Sequence, residues 1–339
     1  MTTSSQPLLR VDRLHVDLAI EGELRPVIHD VSFELSPGQA LGLVGESGSG
    51  KSMTARSVMR LLPPKAVVQG RIEFDGADVL TLDRTALRQY YTREVAMIFQ
   101  DPSAHINPVR TIGAFLTEAM RTNLGHSRAK AEARAVQLLD EVGIPEPRRR
   151  LRQYPHELSG GLLQRVMIAS ALALEPRLLI ADEPTTALDV TRQMEVMAIL
   201  EDLRAERSLA MLFITHDLDL AEAICDQTAV MYAGSIVERQ PTTALHAEPL
   251  HPYTRALIGS RPRLDGRAER LNAVGGRPVS AFEAGAGCAF APRCASSRPG
   301  CVDVRPVLEP RGEGEVACLR VEELMGERRS AAAPERIVG

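Results

Sequence analysis

Tryptophan is absent from the 339 residues, and Phe, Tyr and Trp together make up only 4%. Any core must therefore be mostly aliphatic, drawn from an apolar content of 44%. Long apolar runs are missing as well; none approaches the roughly 18 residues that a membrane span needs. The first residues, MTTSSQP, carry neither a basic nor an apolar segment, so no secretory signal is expected and the chain should be made and kept in the cytoplasm. Nor is there an excess of positive charge: 40 Lys+Arg against 44 Asp+Glu gives −4, which argues against a nucleic-acid or anionic-membrane footprint. Cysteine is scarce, five in all, yet four lie together in the tail at Cys288, Cys294, Cys301 and Cys318. Clustered thiols in a reducing compartment suggest a metal or cluster site rather than a disulfide frame. The length allows a sizeable core and more than one domain.

What is present centres on GESGSGKS, Gly45 to Ser52, which fits the phosphate-binding pattern G-x-x-x-x-G-K-[ST]. Glycines let the backbone curl until successive N–H groups point at a phosphate chain, here from Gly45, Ser47, Gly48 and Gly50. Lys51 would reach the terminal phosphates and the Ser52 hydroxyl would hold Mg²⁺. ALGLV (Ala40 to Val44) reads as a buried strand entering the loop. Lys51 to Leu62 reads as a helix leaving it, its N-terminal dipole aimed at the phosphates. A Gly/Ser-rich turn would share the composition, but strand, loop and helix in this order favour a nucleotide site.

Around this unit, Leu8 to Leu18 and Val27 to Leu35 read as strands of a small antiparallel layer, joined by the polar connection IEGELRP. Arg71 to Phe74 is a short strand, Thr85 to Thr92 a helix, and Val95 to Phe99 a buried strand ending at Gln100. From Asp101 to Ala173 the pattern is helical, which predicts an insertion between strands of the main sheet. Leu178 to Asp182 restores the sheet. A helix over about Arg192 to Glu206, a strand over Ala210 to Ile214, a helix over Leu218 to Ile224 and a hairpin around Ala233-Gly234 follow. Strands alternating with helices imply a parallel sheet covered on both faces. After about Pro241, Pro, Gly and Arg become frequent and the cysteines appear; Glu327 to Gly339 is expected to fray.

Two acids end LLIADE. Asp182, at a strand end beside the phosphate loop, is placed for a second Mg²⁺ contact; Glu183 could deprotonate an attacking water. LSGG (Leu158 to Gly161) opens a helix running to about Leu174. Ser159 suits a helix N-cap, and with the Gly161 backbone it could equally bind an anion. One chain hardly needs two phosphate sites, so this one makes sense facing the loop of a second subunit. Alone, His216 would read as a satisfied core histidine; its place after a strand and before Asp217 points to the site instead.

Taken together, these motifs resemble the ATP-binding cassette of ABC transporters over about residues 8 to 245. Phosphate loop, Gln100, LSGG, the acidic strand end, Ala187-Leu188-Asp189 and Thr215-His216-Asp217 stand in the family order. The resemblance implies an α/β P-loop NTPase with a mostly parallel core sheet, an antiparallel β layer and a helical subdomain over about 101–173. It also implies two cassettes, identical or homologous, that sandwich two ATP molecules head to tail. Lys51, Ser52, Gln100 and Asp182 would then bind ATP and Mg²⁺, Glu183 would be the general base, and His216 would hold the γ-phosphate and water. Ser159, Gly160 and Gly161 would meet the γ-phosphate bound to the partner, and Asp189 would couple the two sites. Two departures stand out. No Phe, Tyr or Trp lies between Leu14 and Asp30, where the family often has an adenine-stacking aromatic, leaving Ile20, Leu24 or Arg25 as candidates. Leu162 follows LSGG where many members have Gln.

The rest of the chain narrows the resemblance. Phe99-Gln100-Asp101-Pro102 with Ile106-Asn107-Pro108, and His251-Pro252-Tyr253-Thr254, are similar to the oligopeptide/dipeptide branch. That branch carries a Cys-rich C-terminal extension, here 246–325, which the HPYT box would dock on the cassette; a disordered tail over 326–339 is expected to follow. In relatives similar cysteines hold a 4Fe-4S cluster, which four thiolates can complete and Phe290 would shield. Zinc is the alternative, although gaps of five, six and sixteen residues are wider than its usual short pairs; a tail without metal is the third. Cys225 reads as a buried structural thiol, and Arg148-Arg149-Arg150 as a solvated face. The implied function is ATP hydrolysis for import of peptides, or of nickel or sugars, at the cytoplasmic face of the plasma membrane. The implied partners are a second cassette, two transmembrane permease subunits and an extracytoplasmic substrate-binding protein, with no nucleic acid. A soluble ABC ATPase acting on ribosomes or DNA is a second class, disfavoured by a single short cassette, and a binding or redox-sensing module centred on the tail is a third, disfavoured by the complete hydrolytic set.

Overall fold

The computed structural model describes residues 6–186, 188–260 and 274–332, with side chains described as far as Gly326. The chain begins with a long antiparallel ribbon, β1 (Leu9–Ile20) and β2 (Glu23–Leu35), which turns at Glu21-Gly22. Most of the expected connection is therefore strand. Its charges face outward from a half-exposed ribbon, so its polarity marks an exposed surface and not a loop. β3 (Ala40–Val44) enters the main sheet and leads through the phosphate loop to α1 (Lys51–Val58). That helix stops short of Leu62, with Arg60 left-handed at φ 52, ahead of two consecutive prolines that cannot continue it. β4 (Val67–Phe74) and β5 (Ala77–Asp78) return to the first layer, whose order is β2-β1-β4-β5. The segment expected as one helix over 85–92 divides into α2 (Arg84–Gln89) and a π turn, Tyr90–Glu94.

β6 (Val95–Ile98) rejoins the main sheet. The helical subdomain follows as α3 (Pro102–His105), α4 (Ile112–Asn123), α5 (Arg128–Glu141), α6 (Pro147–Arg150) and α7 (Gly160–Leu172). The arginine run forms α6, where Arg149 pairs with Glu146 on an exposed surface. β7 (Leu178–Asp182), α8 (Val190–Arg207), β8 (Ala210–Thr215), α9 (Leu218–Ile224), β9 (Gln227–Tyr232) and β10 (Ser235–Pro241) complete the cassette. β3, β6, β7, β8 and β9 run parallel in the order β9-β3-β8-β7-β6. Successive residues of these strands point to opposite faces. Leu179, Ala181, Met211 and Phe213 join the core shared with α4, α5 and α7. Leu178, Ile180, Leu212 and Ile214 join the core shared with the antiparallel layer and α1. Burial on both faces is why these strands read as unbroken apolar runs. Among the described residues, no helix is long and apolar enough to cross a membrane.

The extension is built into the cassette. α10 (Thr242–Ala247) and α11 (Pro252–Gly259) are followed, after residues outside the description, by α12 (Pro299–Asp303), β11 (Glu309–Arg311), β12 (Gly314–Val316) and α13 (Val321–Ala332). β12 pairs antiparallel with β10, so β11 and β12 lengthen the main sheet to eight strands. α13 carries the chain as helix through residues expected to be disordered from 326; residues 333–339 lie outside the described part.

Glu238 anchors this junction. Fully buried, it accepts hydrogen bonds from the backbone N–H groups of Leu250 (2.7 Å) and His251 (2.8 Å) and from Gln240 Nε2 (2.6 Å). Burial pushes its carboxyl above the usual range, while those donors pull it back. Replacing Glu238 with Ala would orphan two buried N–H groups, each worth about 1–3 kcal/mol. We expect E238A to lose about 2–4 kcal/mol of stability; a urea midpoint equal to the parent's would contradict this anchoring.

Candidate functional site

The loop from Gly45 to Ser52 closes tightly on the end of β9. A Cβ at Gly45 would lie 2.2 Å from the Met231 carbonyl oxygen, and Gly50 sits at φ 106, so neither position admits a side chain without strain. Lys51 is 5% exposed. Its ammonium donates to the carbonyls of Gly45 (2.7 Å) and Glu46 (3.0 Å). Burial lowers its pKa, and the carboxylates of Glu183, Asp182 and Glu46 oppose that shift. A buried cation beside the positive end of α1 is suited to a polyanion.

Sheet register assembles the rest. Ala181 lies opposite Ile98, and Asp182 opposite Ile214. Gln100, Glu183 and His216 are each two residues past these register positions, just beyond the C-terminal strand ends where α/β sheets bind ligands. Glu183 Oε2 accepts from Gln100 Nε2 (3.1 Å) and Thr186 Oγ1 (2.7 Å), and His216 Nδ1 lies 3.4 Å away. Glu183 adopts φ 48, a costly conformation for a non-glycine residue and one that concentrates at functional sites. Ser52 Oγ donates to Asp182 at 2.9 Å. Burial raises the Asp182 pKa, with the Ser52 hydrogen bond opposing it.

A cleft of about 860 Å³ joins these groups, lined by Ser47, Gly48, Gly50, Lys51 and Ser52 together with Gln100, Glu183 and His216. Val27 contributes to the wall; Ile20, Leu24 and Arg25 are not among the lining residues, although Arg25 stands over the Phe282 ring that is. Ser159, Gly160, Gly161 and Asp189 do not line it. Ser159 Oγ caps α7, accepting from Leu162 N at 3.4 Å, so the structural role foreseen for it is real. Asp189 caps α8 and pairs with Arg192 at 3.2 Å. Arg192 packs where a Cβ on Gly161 would stand, bringing the start of α7 and the start of α8 together. Ala187 lies outside the described residues.

Comparison with known proteins agrees with this geometry. Residues 28–186 match the ABC transporter family, and residues 237–301 match the oligopeptide/dipeptide transporter C-terminal region. The chain is 44% identical over 319 residues to a peptide import ATP-binding protein of Brucella abortus, covering 94% of this chain and 96% of that protein. It is 41% identical over 329 residues to the oligopeptide transport ATP-binding protein OppD of Salmonella typhimurium, covering 96% and 98%. The chain belongs to the ABC transporter family of ATPases. Solved cassettes share its fold. One is a dimeric ATP-binding cassette bound to ADP and Pi, with TM-score 0.62, 24% identity, and 69% of this chain and 98% of that one covered. Another is cbiO1 of Clostridium perfringens, with TM-score 0.62, 24% identity, and coverage of 72% and 92%.

In this ABC ATPase the extension touches the phosphate loop directly. Arg293, its side chain 3% exposed, forms a double ion pair with Glu46 at 2.6 and 3.1 Å. Tyr253 of the HPYT box accepts from the Glu46 N–H at 3.0 Å, and His251 caps α11 by accepting from Tyr253 N at 3.0 Å. The docking role expected of that box is therefore present in the structure. Sequence reasoning missed Arg293, Glu46 and Thr186. Thr186 could have been suspected three residues after Glu183, whereas nothing local marks Arg293 or Glu46 as a pair.

The four tail cysteines converge on one small pocket, also lined by His251, Phe290, Leu319 and Leu324. Burial pushes the Cys318 thiol up to about 11, and the other three cysteines add to that rise. Yet among the described residues no group of three or more His, Cys, Asp or Glu is placed to hold a metal ion. The expected iron–sulfur or zinc ligand set is thus gathered around one pocket without forming an ion site. Cys225 is 7% exposed at the end of α9, with burial raising its thiol pKa far beyond the usual range, as a structural thiol should be.

Proposed function

We propose that this chain is the ATP-hydrolysing subunit of a peptide importer. The observation that carries the reading is the convergence of Gln100, Glu183, His216 and the Ser52–Asp182 pair at the C-terminal strand ends beside Lys51. Relatives named for peptide import along nearly the whole chain support the cargo class. Lys51 and the loop N–H groups bind the phosphates of ATP. Ser52, Asp182 and Gln100 supply oxygen donors for Mg²⁺, which commonly takes one or two carboxylates and completes its shell with phosphates and water. Held there, Mg²⁺ would neutralise charge on the phosphates; Glu183 accepts the proton of the attacking water, and His216 and Gln100 hold that water and the γ-phosphate. Catalysis is then mainly positioning and electrostatics. Because Ser159, Gly160, Gly161 and Asp189 stand apart from the cleft, they serve the cleft of a second cassette packed head to tail. The subdomain over 101–173, which begins just after Gln100, transmits closure and reopening of that pair to the permease subunits. An extracytoplasmic binding protein delivers the peptide on the far side of the membrane.

Capture of the tagged chain from solubilised membranes tests this reading. Two integral membrane subunits should co-purify, and their absence would favour a soluble ATPase. For the tail, the convergence of four cysteines on one pocket is what supports an iron–sulfur site, since four thiolates can complete such a cluster. Anaerobic purification should yield a brown protein with iron and sulfide. A colourless protein, with zinc or without metal, would refute the cluster.

A further inference from the structure

The cleft is lined by two chemically different sets of residues. One is the polar phosphate loop with Gln100, Glu183 and His216; the other is apolar, formed by Val27, Leu257, Pro278, Ala281 and Phe282. All but Val27 belong to the C-terminal extension. Phe282 is 41% exposed, a large ring left open to solvent within reach of a nucleotide site. The hairpin offers no Phe, Tyr or Trp here, since none lies between Leu14 and Asp30.

The turn that presents Phe282 is held firmly. Glu283 accepts from Ser280 N at 3.0 Å, and His29 Nε2 donates to the Ala281 carbonyl at 3.0 Å. Ala281 is buried against Gly234, where an added Cβ would lie 2.9 Å from its own. The Arg25 guanidinium lies 5.6 Å from the ring centroid and stacks on the phenyl group. A well-held aromatic lining the same cleft as a phosphate-loop motif matches a ligand with a flat base at one end and a polyphosphate at the other.

We propose that Phe282 is the stacking platform for the adenine ring, so the C-terminal extension completes the nucleotide site of its own chain. The proposal rests on the phosphate loop binding ATP, and goes beyond it by assigning base recognition to a segment outside the cassette. It also gives the extension a role in substrate affinity that is independent of any metal.

Two substitutions in the full-length protein test this. Phe282→Ala should raise the dissociation constant for ATP about tenfold, with kcat changed less than about twofold because stacking is equal in ground and transition states. Binding of inorganic tripolyphosphate, which has no base, should be unchanged. Phe282→Trp should keep near-parental affinity. As the sole tryptophan of the chain, its emission should be quenched by ATP and left unaltered by tripolyphosphate. Unchanged ATP affinity in Phe282→Ala would overturn the proposal. Equal weakening of both probes would overturn it too, because the ring would then be supporting the loop and not the base. If the parent protein bound neither probe, the phosphate-loop reading would fall first and the stacking with it.

Discussion

Glu183→Gln is expected to bind ATP as tightly as the parent while hydrolysing it about 10²–10⁴ times more slowly. The amide keeps the shape of the side chain and can still accept from Thr186, 2.7 Å away. It cannot take a proton from water at neutral pH. On the proposed reading the phosphates are held by Lys51 and the loop, which the substitution leaves in place, so binding should survive. The strained φ of 48 at position 183 is set by the backbone, including the N–H that donates to Ile214 at 2.9 Å, and does not depend on the carboxylate. Single-turnover hydrolysis together with an equilibrium nucleotide titration separates the two effects. Parental turnover would remove Glu183 as the base.

Ser159→Arg should likewise leave ATP binding unchanged and slow turnover by about 10²-fold, the usual loss when a donor to the reacting group is removed. Ser159 lies outside the cleft of its own chain, at the exposed start of α7, capping Leu162 at 3.4 Å. A bulky side chain there cannot disturb Lys51 or Glu183 of the same subunit. On the proposed reading it would obstruct the cleft of a second cassette. Loss of the weak cap costs about 0.5–2 kcal/mol, which is too little to explain such a drop in rate. Turnover measured in the assembled complex decides the matter, and a parental rate would mean that each chain hydrolyses ATP unaided.

The extension has a larger part in this machine than a domain appended to a cassette would. β12 continues the sheet from β10, Glu238 closes the joint, and Arg293 grips Glu46 inside the phosphate loop. The loop conformation and the fold of the extension are therefore physically coupled. Arg293 is followed directly by Cys294, so the cysteine pocket and the nucleotide cleft are neighbours along the chain.

Much of the site was legible because its chemistry is local. A phosphate loop needs glycine where φ is positive, a lysine and a hydroxyl at fixed offsets, and a buried strand before them; all of that is written in consecutive residues. The acids of LLIADE, the histidine after β8 and the cap of α7 are legible for the same reason, each set by a strand end or helix start. The antiparallel ribbon and the start of β4 were under-read, since half-exposed strands alternate weakly and charged residues mimic loops. What the sequence by itself determined is the order of elements and which residues are candidates for phosphate binding and hydrolysis. Only the tertiary structure decided that Glu183 takes a hydrogen bond from Gln100, that Ser159 stands away from its own cleft, and that Arg293 and Phe282 return to the phosphate loop. Those pairings join residues roughly 80 to 250 positions apart through sheet register and docking, and no local pattern in the chain encodes a distance between such remote segments.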